Sequence, residues 1–160
     1  MGEINVIFDL KSVANQIACL LNKCNELTVK HNVRTILNDS TKYIIEILAG
    51  QVVGACGFNP ISTLITEIKH LVITPYSRKM GLGSSLVKQI IQRSDTPFFY
   101  ATIRENNTQS LELFKKLGFK EIISENFNPA SHNYIKTLMY IDTGKLKKLM
   151  KAQNDIQRKR

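Results

Sequence analysis

Residues 71–84 read LVITPYSRKMGLGS, an apolar run that leads through a proline into a turn with two alternate glycines, Gly81 and Gly83. The run before the proline is β-rich and apolar residues recur at helical spacing after the turn, so the stretch predicts a strand, a glycine turn and a helix. Paired glycines let a ligand approach the backbone, and the free N–H groups at a helix start attract anionic oxygens. Arg78 and Lys79 add positive charge. We therefore expect the turn to cradle a pyrophosphate group.

Two familiar nucleotide-binding loops do not fit this turn. A Walker loop requires GxxxxGK[ST], which the chain lacks, and the dinucleotide fingerprint requires a small residue at the position that Leu86 occupies. A glycine turn that only caps a helix is the structural alternative, and a lone pair of glycines does not exclude it.

The sequence on either side of the turn alternates between helical and β-rich patterns, and no repeat or linker divides it. A strand is predicted at residues 4–8 and a helix at 10–21, with a less regular helical segment up to about residue 37. The other predicted elements are strands at 43–48, 51–58 and 64–73, a helix after the glycine turn, a strand at 98–103, a helix at 108–117, strands at 119–123 and 134–141, and a C-terminal helix.

The connections between these strands predict how they pair. Short turns join the strands from residue 43 to residue 73, which favours antiparallel neighbours. Strand 64–73 reaches strand 98–103 through a helix, which favours a parallel pair. The predicted fold class is α/β of the α+β type, with a mixed, mostly antiparallel central sheet flanked by helices.

The composition is that of one globular domain of ordinary size. The chain has 160 residues, of which 43% are hydrophobic and 22% charged. No apolar run approaches the roughly 20 residues of a membrane-spanning helix, and no basic patch leads into an apolar run near residue 1. We therefore expect a cytoplasmic protein without a membrane partner. Three cysteines without CxxC spacing and three scattered histidines predict no metal site.

Positive charge is concentrated at the C-terminal end. The formal net charge is +9, and residues 145–160 carry seven Lys or Arg residues against a single Asp155. We divide the chain into a main domain at residues 1–142 and a basic helix or tail at 143–160. From Lys145 to Arg160 the charge fits either a solvated face or a docking surface for an acidic partner or nucleic acid.

Two linked motifs resemble those of a known superfamily. Arg78-x-x-Gly81-x-Gly83 resembles the [RQ]xxGx[GA] signature of the GNAT superfamily of N-acetyltransferases, and Asn107-x-x-Ser110-x-x-x-Phe114-x-Lys116-x-Gly118-Phe119 resembles its second motif. The predicted order of elements over residues 4–141 is also that of the family. The resemblance implies a GNAT-like sheet whose parallel strand pair is splayed, a main domain of the acetyltransferase type, and acetyl-CoA as cosubstrate.

The resemblance also implies which residues would hold acetyl-CoA. The backbone of Leu71, Val72 and Ile73 would bond the pantetheine arm where this strand splays from strand 98–103. Asn107 would contact the cofactor from the following helix. Phe114 would lie near the thioester, and the alternative for Phe114 is a place on the apolar core face of the same helix. The residues that would grip the pyrophosphate are Arg78, Lys79, Met80, Gly81, Leu82, Gly83 and Ser84.

The catalytic base that the resemblance implies is Glu67, eleven residues before Arg78 on the same strand. The alternative for Glu67 is a surface residue paired with a lysine. Strict alternation along a strand predicts that His70 faces away from Glu67. A backbone N–H of Leu71 or Ile73 would meet the oxyanion.

Phe114 stands where many family members have a tyrosine acid, and phenylalanine has no proton to give. Water or another tyrosine would then protonate the departing thiolate, and the candidates are Tyr76, Tyr134 and Tyr140.

The predicted function is direct transfer of an acetyl group from acetyl-CoA to a primary amine within a ternary complex. The amine could belong to a protein, a small molecule or a nucleic-acid-attached group, and residues 59–63 and 125–133 fall where the family shapes its acceptor site. The alternative function is a regulatory module that binds acetyl-CoA or nucleic acid with little catalysis. A monomer or a homodimer fits either function.

Overall fold

The computed structural model describes residues 9–25, 29–128 and 133–157. The strand predicted at residues 4–8 lies outside these ranges. Two helices come first, α1 at Leu10–Cys24 and α2 at Val33–Asn38. Asp9 caps α1 by accepting from the N–H groups of Lys11 and Ser12, and Asn32 opens α2 with a reciprocal capping box.

Within the described ranges, six strands form one sheet in the order β1-β2-β3-β4-β6-β5. The strands are β1 Lys42–Leu48, β2 Gln51–Pro60, β3 Ile65–Ile73, β4 Phe98–Arg104, β5 Lys120–Asn128 and β6 Asn133–Ile141. Every neighbouring pair is antiparallel except β3 and β4, which are parallel. The predicted fold class and the predicted parallel pair are therefore confirmed.

Three further helices follow the first three strands. A short 3₁₀ turn at Pro75–Ser77 leads to α3 at Leu82–Arg93, and α4 spans Thr108–Lys116 between β4 and β5. The last helix, α5, spans Thr143–Gln157 and has no buried side chain among its described residues. No helix in the described ranges combines the length and the hydropathy needed to cross a membrane.

The sheet separates two apolar clusters. One cluster packs α3 and α4 against the sheet through residues such as Leu86, Ile90, Phe99 and Leu138, each of them fully buried. The other packs α1 against β2 and β3 on the opposite face. The sheet is thus fixed from both sides, which holds the ends of β3 and β4 in a defined relation.

Two segments differ in part from the predicted boundaries. The helical pattern that the sequence extends to about residue 37 is divided, because α1 ends at Cys24 and α2 begins only at Val33. β5 continues to Asn128, so that the first part of the segment expected to shape the acceptor site is a strand. Residues 129–132 of that segment lie outside the described ranges.

Candidate functional site

A fork between β3 and β4 is the central feature of the site. The two strands pair at only three positions, Ile65 with Phe98, Thr66 with Phe99 and Glu67 with Tyr100. Beyond this point β3 runs on to Ile73 and remains paired with β2. Among the described residues, no strand pairs with the edge of β3 that faces β4 beyond Glu67, so an extended ligand can bond the backbone of residues 68–73 as an added strand.

Leu71, Val72 and Ile73 line the open arm of the fork. Val72 is buried in the α1 cluster, whereas Leu71 and Ile73 pack on the α3 side. The Nε of Arg78 donates to the Ile73 carbonyl over 3.2 Å, so the guanidinium folds back onto the end of the strand. The arm therefore ends beside a fixed positive charge.

The turn between β3 and α3 contains two left-handed residues, Lys79 at φ +63° and Gly81 at φ +79°. Gly81 is the N-cap of α3 and has no side-chain capping bond. The first N–H groups of α3 are consequently left for solvent or a ligand, and the helix start favours an anion. A left-handed conformation is unfavourable for lysine, which marks the turn as a place of stored backbone strain.

The two glycines of the motif, Gly81 and Gly83, have different structural roles. A Cβ added at Gly81 would meet no atom within 4 Å, so the space beside this position is open. Gly83 is buried, and a Cβ there would lie 2.9 Å from Leu113 Cδ1. Gly81 thus supplies a left-handed turn and free approach, whereas Gly83 lets α3 pack closely against α4.

The side chains of Asn107 and Phe114 are engaged in packing and capping. Asn107 is the N-cap of α4, and its Oδ1 accepts from the Ser110 N–H over 3.1 Å. Phe114 is 3% exposed, and its ring stands edge-on to Phe119 with centroids 4.9 Å apart. For Phe114 the core alternative describes the observed contacts.

Glu67 lies where the fork closes. Its Oε2 is 3.6 Å from Lys69 Nζ, and its side chain is 21% exposed, so that solvent or an incoming group can reach the carboxylate. Tyr100 is its register partner on β4 and lies on the same face of the sheet. Burial, together with the charge of Glu67, raises the pKa of Tyr100 and keeps its hydroxyl protonated.

The expectation that His70 faces away from Glu67 is wrong, because β3 contains a bulge. Ala55 pairs with Val72 and Gly57 with Lys69, so Cys56 alone stands opposite both His70 and Leu71. His70 adopts φ +56°, and its ring reaches Tyr43 on the α1 side of the sheet. Glu67 and His70 therefore share a face.

The sequence analysis names three other tyrosines as possible acids and does not name Tyr100. Tyr76 is 76% exposed on the turn, Tyr140 packs its ring against Phe119 on the α3 side, and Tyr134 lies near the start of β6. Periodicity along one strand carries no information on lateral register. Only the parallel pairing shows that Tyr100 is level with Glu67.

Comparison with known proteins identifies the family. The model of the acetyltransferase (GNAT) family matches residues 15–119, more than half of the chain. The chain belongs to this family. A curated relative, an uncharacterized N-acetyltransferase of Chlorobaculum tepidum, is 25% identical over 105 residues, which are 63% of this chain and 64% of that protein. The chain thus spans less than two thirds of that relative's length.

Solved structures share the fold at low sequence identity. The ribosomal-protein-S18-alanine N-acetyltransferase of Escherichia coli has a TM-score of 0.70 at 10% identity, over 84% of this chain and 90% of that one. A GNAT family acetyltransferase of Elizabethkingia anophelis, solved with acetyl-CoA bound, has a TM-score of 0.64 at 15% identity, over 77% and 88%. At these identities the likeness shows the fold.

Proposed function

We propose that the protein is an acetyl-CoA-dependent N-acetyltransferase that passes the acetyl group directly to a primary amine in a ternary complex. The observation that carries the proposal is the fork between β3 and β4, which closes at Glu67 and opens toward the uncapped start of α3. Membership of the GNAT family and the acetyl-CoA-bound relative of the same fold support it.

The cosubstrate would lie along the open arm of the fork. The pantetheine would bond the backbone of residues 71–73, and its pyrophosphate would meet the N–H groups of Gly81, Leu82, Gly83 and Ser84 at the start of α3. Arg78 and Lys79 supply positive charge, and Met80, 67% exposed, can cover the ligand from outside. Asn107 and Phe114 would act through the packing of α4 beside this turn.

Glu67 would act as the base. The amine nitrogen bonds to the thioester carbonyl carbon and gives its proton to the carboxylate, directly or through water, which forms a tetrahedral oxyanion. The carbonyl then re-forms as the carbon–sulfur bond breaks and the thiolate leaves. The N–H of Leu71 or Ile73 would stabilise the oxyanion. Phe114 cannot protonate the departing thiolate, and we assign that proton to Tyr100, whose hydroxyl is protonated at neutral pH.

The experiment is release of the CoA thiol from acetyl-CoA with spermidine, with a peptide that begins with alanine and with a peptide that has an internal lysine. Glu67→Gln should lower the rate about 100-fold or more, the usual contribution of a general base. Glu112→Gln, at an exposed position of α4, is the matched control and should react normally. Thiol release that no amine stimulates in the wild type would contradict the proposal.

A second candidate is a regulatory role in which α5 binds an acidic partner or nucleic acid. Lys147, Lys148 and Lys151 are all exposed on this helix. Binding of a nucleic acid should weaken steeply with salt and disappear in the triple Lys→Gln variant. If that variant also keeps full turnover with an amine, binding and catalysis are separate properties.

A further inference from the structure

The bulge in β3 lies beside the residue that would bond the reacting carbonyl. His70 and Leu71 together oppose the single residue Cys56, and His70 holds φ +56°. A left-handed conformation is unfavourable for a residue with a Cβ, so the backbone at this point persists only if its surroundings hold it.

Two side chains from other elements hold the His70 ring. The Tyr43 hydroxyl on β1 is 2.9 Å from His70 Nδ1, and the two rings lie nearly parallel, with an interplanar angle of 17°. His31, which precedes α2, stands edge-on to His70 with ring centroids 4.8 Å apart. The ring is therefore fixed by β1 and by the connection between α1 and α2.

His31 is itself anchored to α1. The Asn22 side chain accepts from the His31 N–H over 2.8 Å and donates to the His31 carbonyl over 2.7 Å. This paired contact fixes the backbone of His31 against α1, which supports the contact between the two histidine rings.

Burial, and to a smaller extent the charges around the ring, keep His70 neutral. Burial, with help from His31 and Lys69, lowers the pKa of His70 to about 4, whereas Asp39 opposes the shift. Burial also raises the pKa of Tyr43. A neutral imidazole facing a protonated phenol can accept the phenolic hydrogen bond at Nδ1.

We propose that His70 is a positioning residue for acetyl transfer, and that Tyr43 and His31 clamp its ring so that the bulge aims the Leu71 N–H at the thioester oxygen. The inference rests on the proposed function, which gives this role to the N–H of Leu71 or Ile73, and the position of the bulge favours Leu71. The clamp acts through the backbone, because the His70 ring is turned toward α2 and β1.

The test begins with hydrogen exchange at residues 69–72 in the ligand-free protein. Tyr43→Phe keeps the ring and removes one hydrogen bond, so exchange should rise about fivefold, and kcat for thiol release from acetyl-CoA should fall by a similar factor. KM for acetyl-CoA should stay within about twofold, since the turn that holds the pyrophosphate is untouched. His31→Ala should act in the same direction.

The variant His70→Gly separates the contribution of the His70 ring from that of the positive φ angle. Glycine adopts a positive φ without strain, so this variant can form the bulge but has no ring to clamp, and it should lose kcat as Tyr43→Phe does. Thr96→Val removes one buried side-chain hydrogen bond, the 2.8 Å contact between the Thr96 and Thr66 hydroxyls, and is the control expected to change neither measurement.

Three outcomes overturn the inference. The first is unchanged exchange at residues 69–72 in both Tyr43→Phe and His31→Ala. The second is faster exchange with unchanged kcat, which would mean that the contacts of Tyr43 and His31 with His70 stabilise the fold but do not affect acetyl transfer. The third is a wild type that neither releases thiol nor gains thermal stability from acetyl-CoA. That last result rejects the proposed function itself, and it is distinguishable because it appears before any variant is made.

Discussion

Glu67 and Tyr100 form the last register pair of β3 and β4 before the two strands diverge. The pair brings an accessible carboxylate and a protonated phenol to one face of the sheet at the base of the fork. A base and an acid are the two groups that acyl transfer to an amine requires. Because Phe114 has no proton to give, we propose that the Glu67–Tyr100 pair supplies both groups.

The variant Tyr100→Phe tests whether the Tyr100 hydroxyl protonates the departing thiolate. It should lower kcat for thiol release by about tenfold or more while acetyl-CoA still raises the thermal midpoint, since the hydroxyl is required for proton transfer and not for cofactor binding. Steady-state kinetics with the amine found most active is the measurement, with Tyr140→Phe, which removes another candidate acid, for comparison. An unchanged kcat would show that the proton comes from water or from another tyrosine.

Two substitutions of Lys79 measure the backbone strain in the turn between β3 and α3. Lys79→Ala and Lys79→Gly both remove the ammonium group, but only glycine is relaxed at φ +63°. Lys79→Gly should therefore be more stable than Lys79→Ala by about 1 kcal/mol, the cost of a left-handed residue with a Cβ. Urea denaturation measures the difference. Equal stabilities would mean that the turn relaxes when the lysine is lost.

The titration of His70 predicts how stability changes with pH. Its pKa is lowered from 6.5 to about 4 in the folded protein, so between these values the unfolded chain binds more protons than the folded one. Stability should fall as the pH drops from 6.5 toward 4. His70→Asn should show a smaller fall in thermal midpoint between pH 7 and pH 4.5, and an identical fall would show that another group controls this range.

A substitution of Lys145 tests whether this side chain attaches α5 to the end of α3. Its ammonium donates to the carbonyls of Ile91 and Ser94 at the end of α3, pairs with Asp142 and lies 5.2 Å from the centroid of the Phe99 ring. Lys145→Met keeps the apolar stem but leaves these carbonyls unpaired, which should cost about 1–3 kcal/mol in urea denaturation. The exposed Lys148→Met should cost less than about 0.5 kcal/mol. Equal losses would mean that Lys145 is solvated like its neighbours.

The sequence predicted the order of elements because each element has a periodic pattern of its own. It also predicted the parallel pair, since a helical connection between β3 and β4 leaves that arrangement as the favoured one. The turn at Gly81 was found because its glycines and cations share a short segment.

The sequence could not predict features that depend on lateral contacts. The bulge at His70 inverts the alternation of β3, so that Ile68 packs on the α3 side and Val72 on the α1 side although the two are an even number of residues apart. The seven basic residues after position 144 looked alike, whereas Lys145 is bonded to α3. No local sequence pattern indicates the bulge or the contact of Lys145 with α3.

Gly81 and Gly50 allow the central claim, that the turn before α3 holds acetyl-CoA, to be tested with a matched pair. Both glycines have φ +79°, and a Cβ added at either meets no atom within 4 Å, but Gly50 lies in the turn between β1 and β2. Tryptophan should strain the backbone equally at the two sites and obstruct a ligand only at Gly81.

The measurement is the thermal midpoint with and without acetyl-CoA for the wild type, Gly81→Trp and Gly50→Trp. A ligand at about 100 times its Kd stabilises the folded state by about 2.7 kcal/mol. We predict that acetyl-CoA raises the midpoint of the wild type and of Gly50→Trp but not that of Gly81→Trp. A wild type that millimolar acetyl-CoA does not stabilise, or a Gly81→Trp variant that is stabilised as much as Gly50→Trp, would contradict the account.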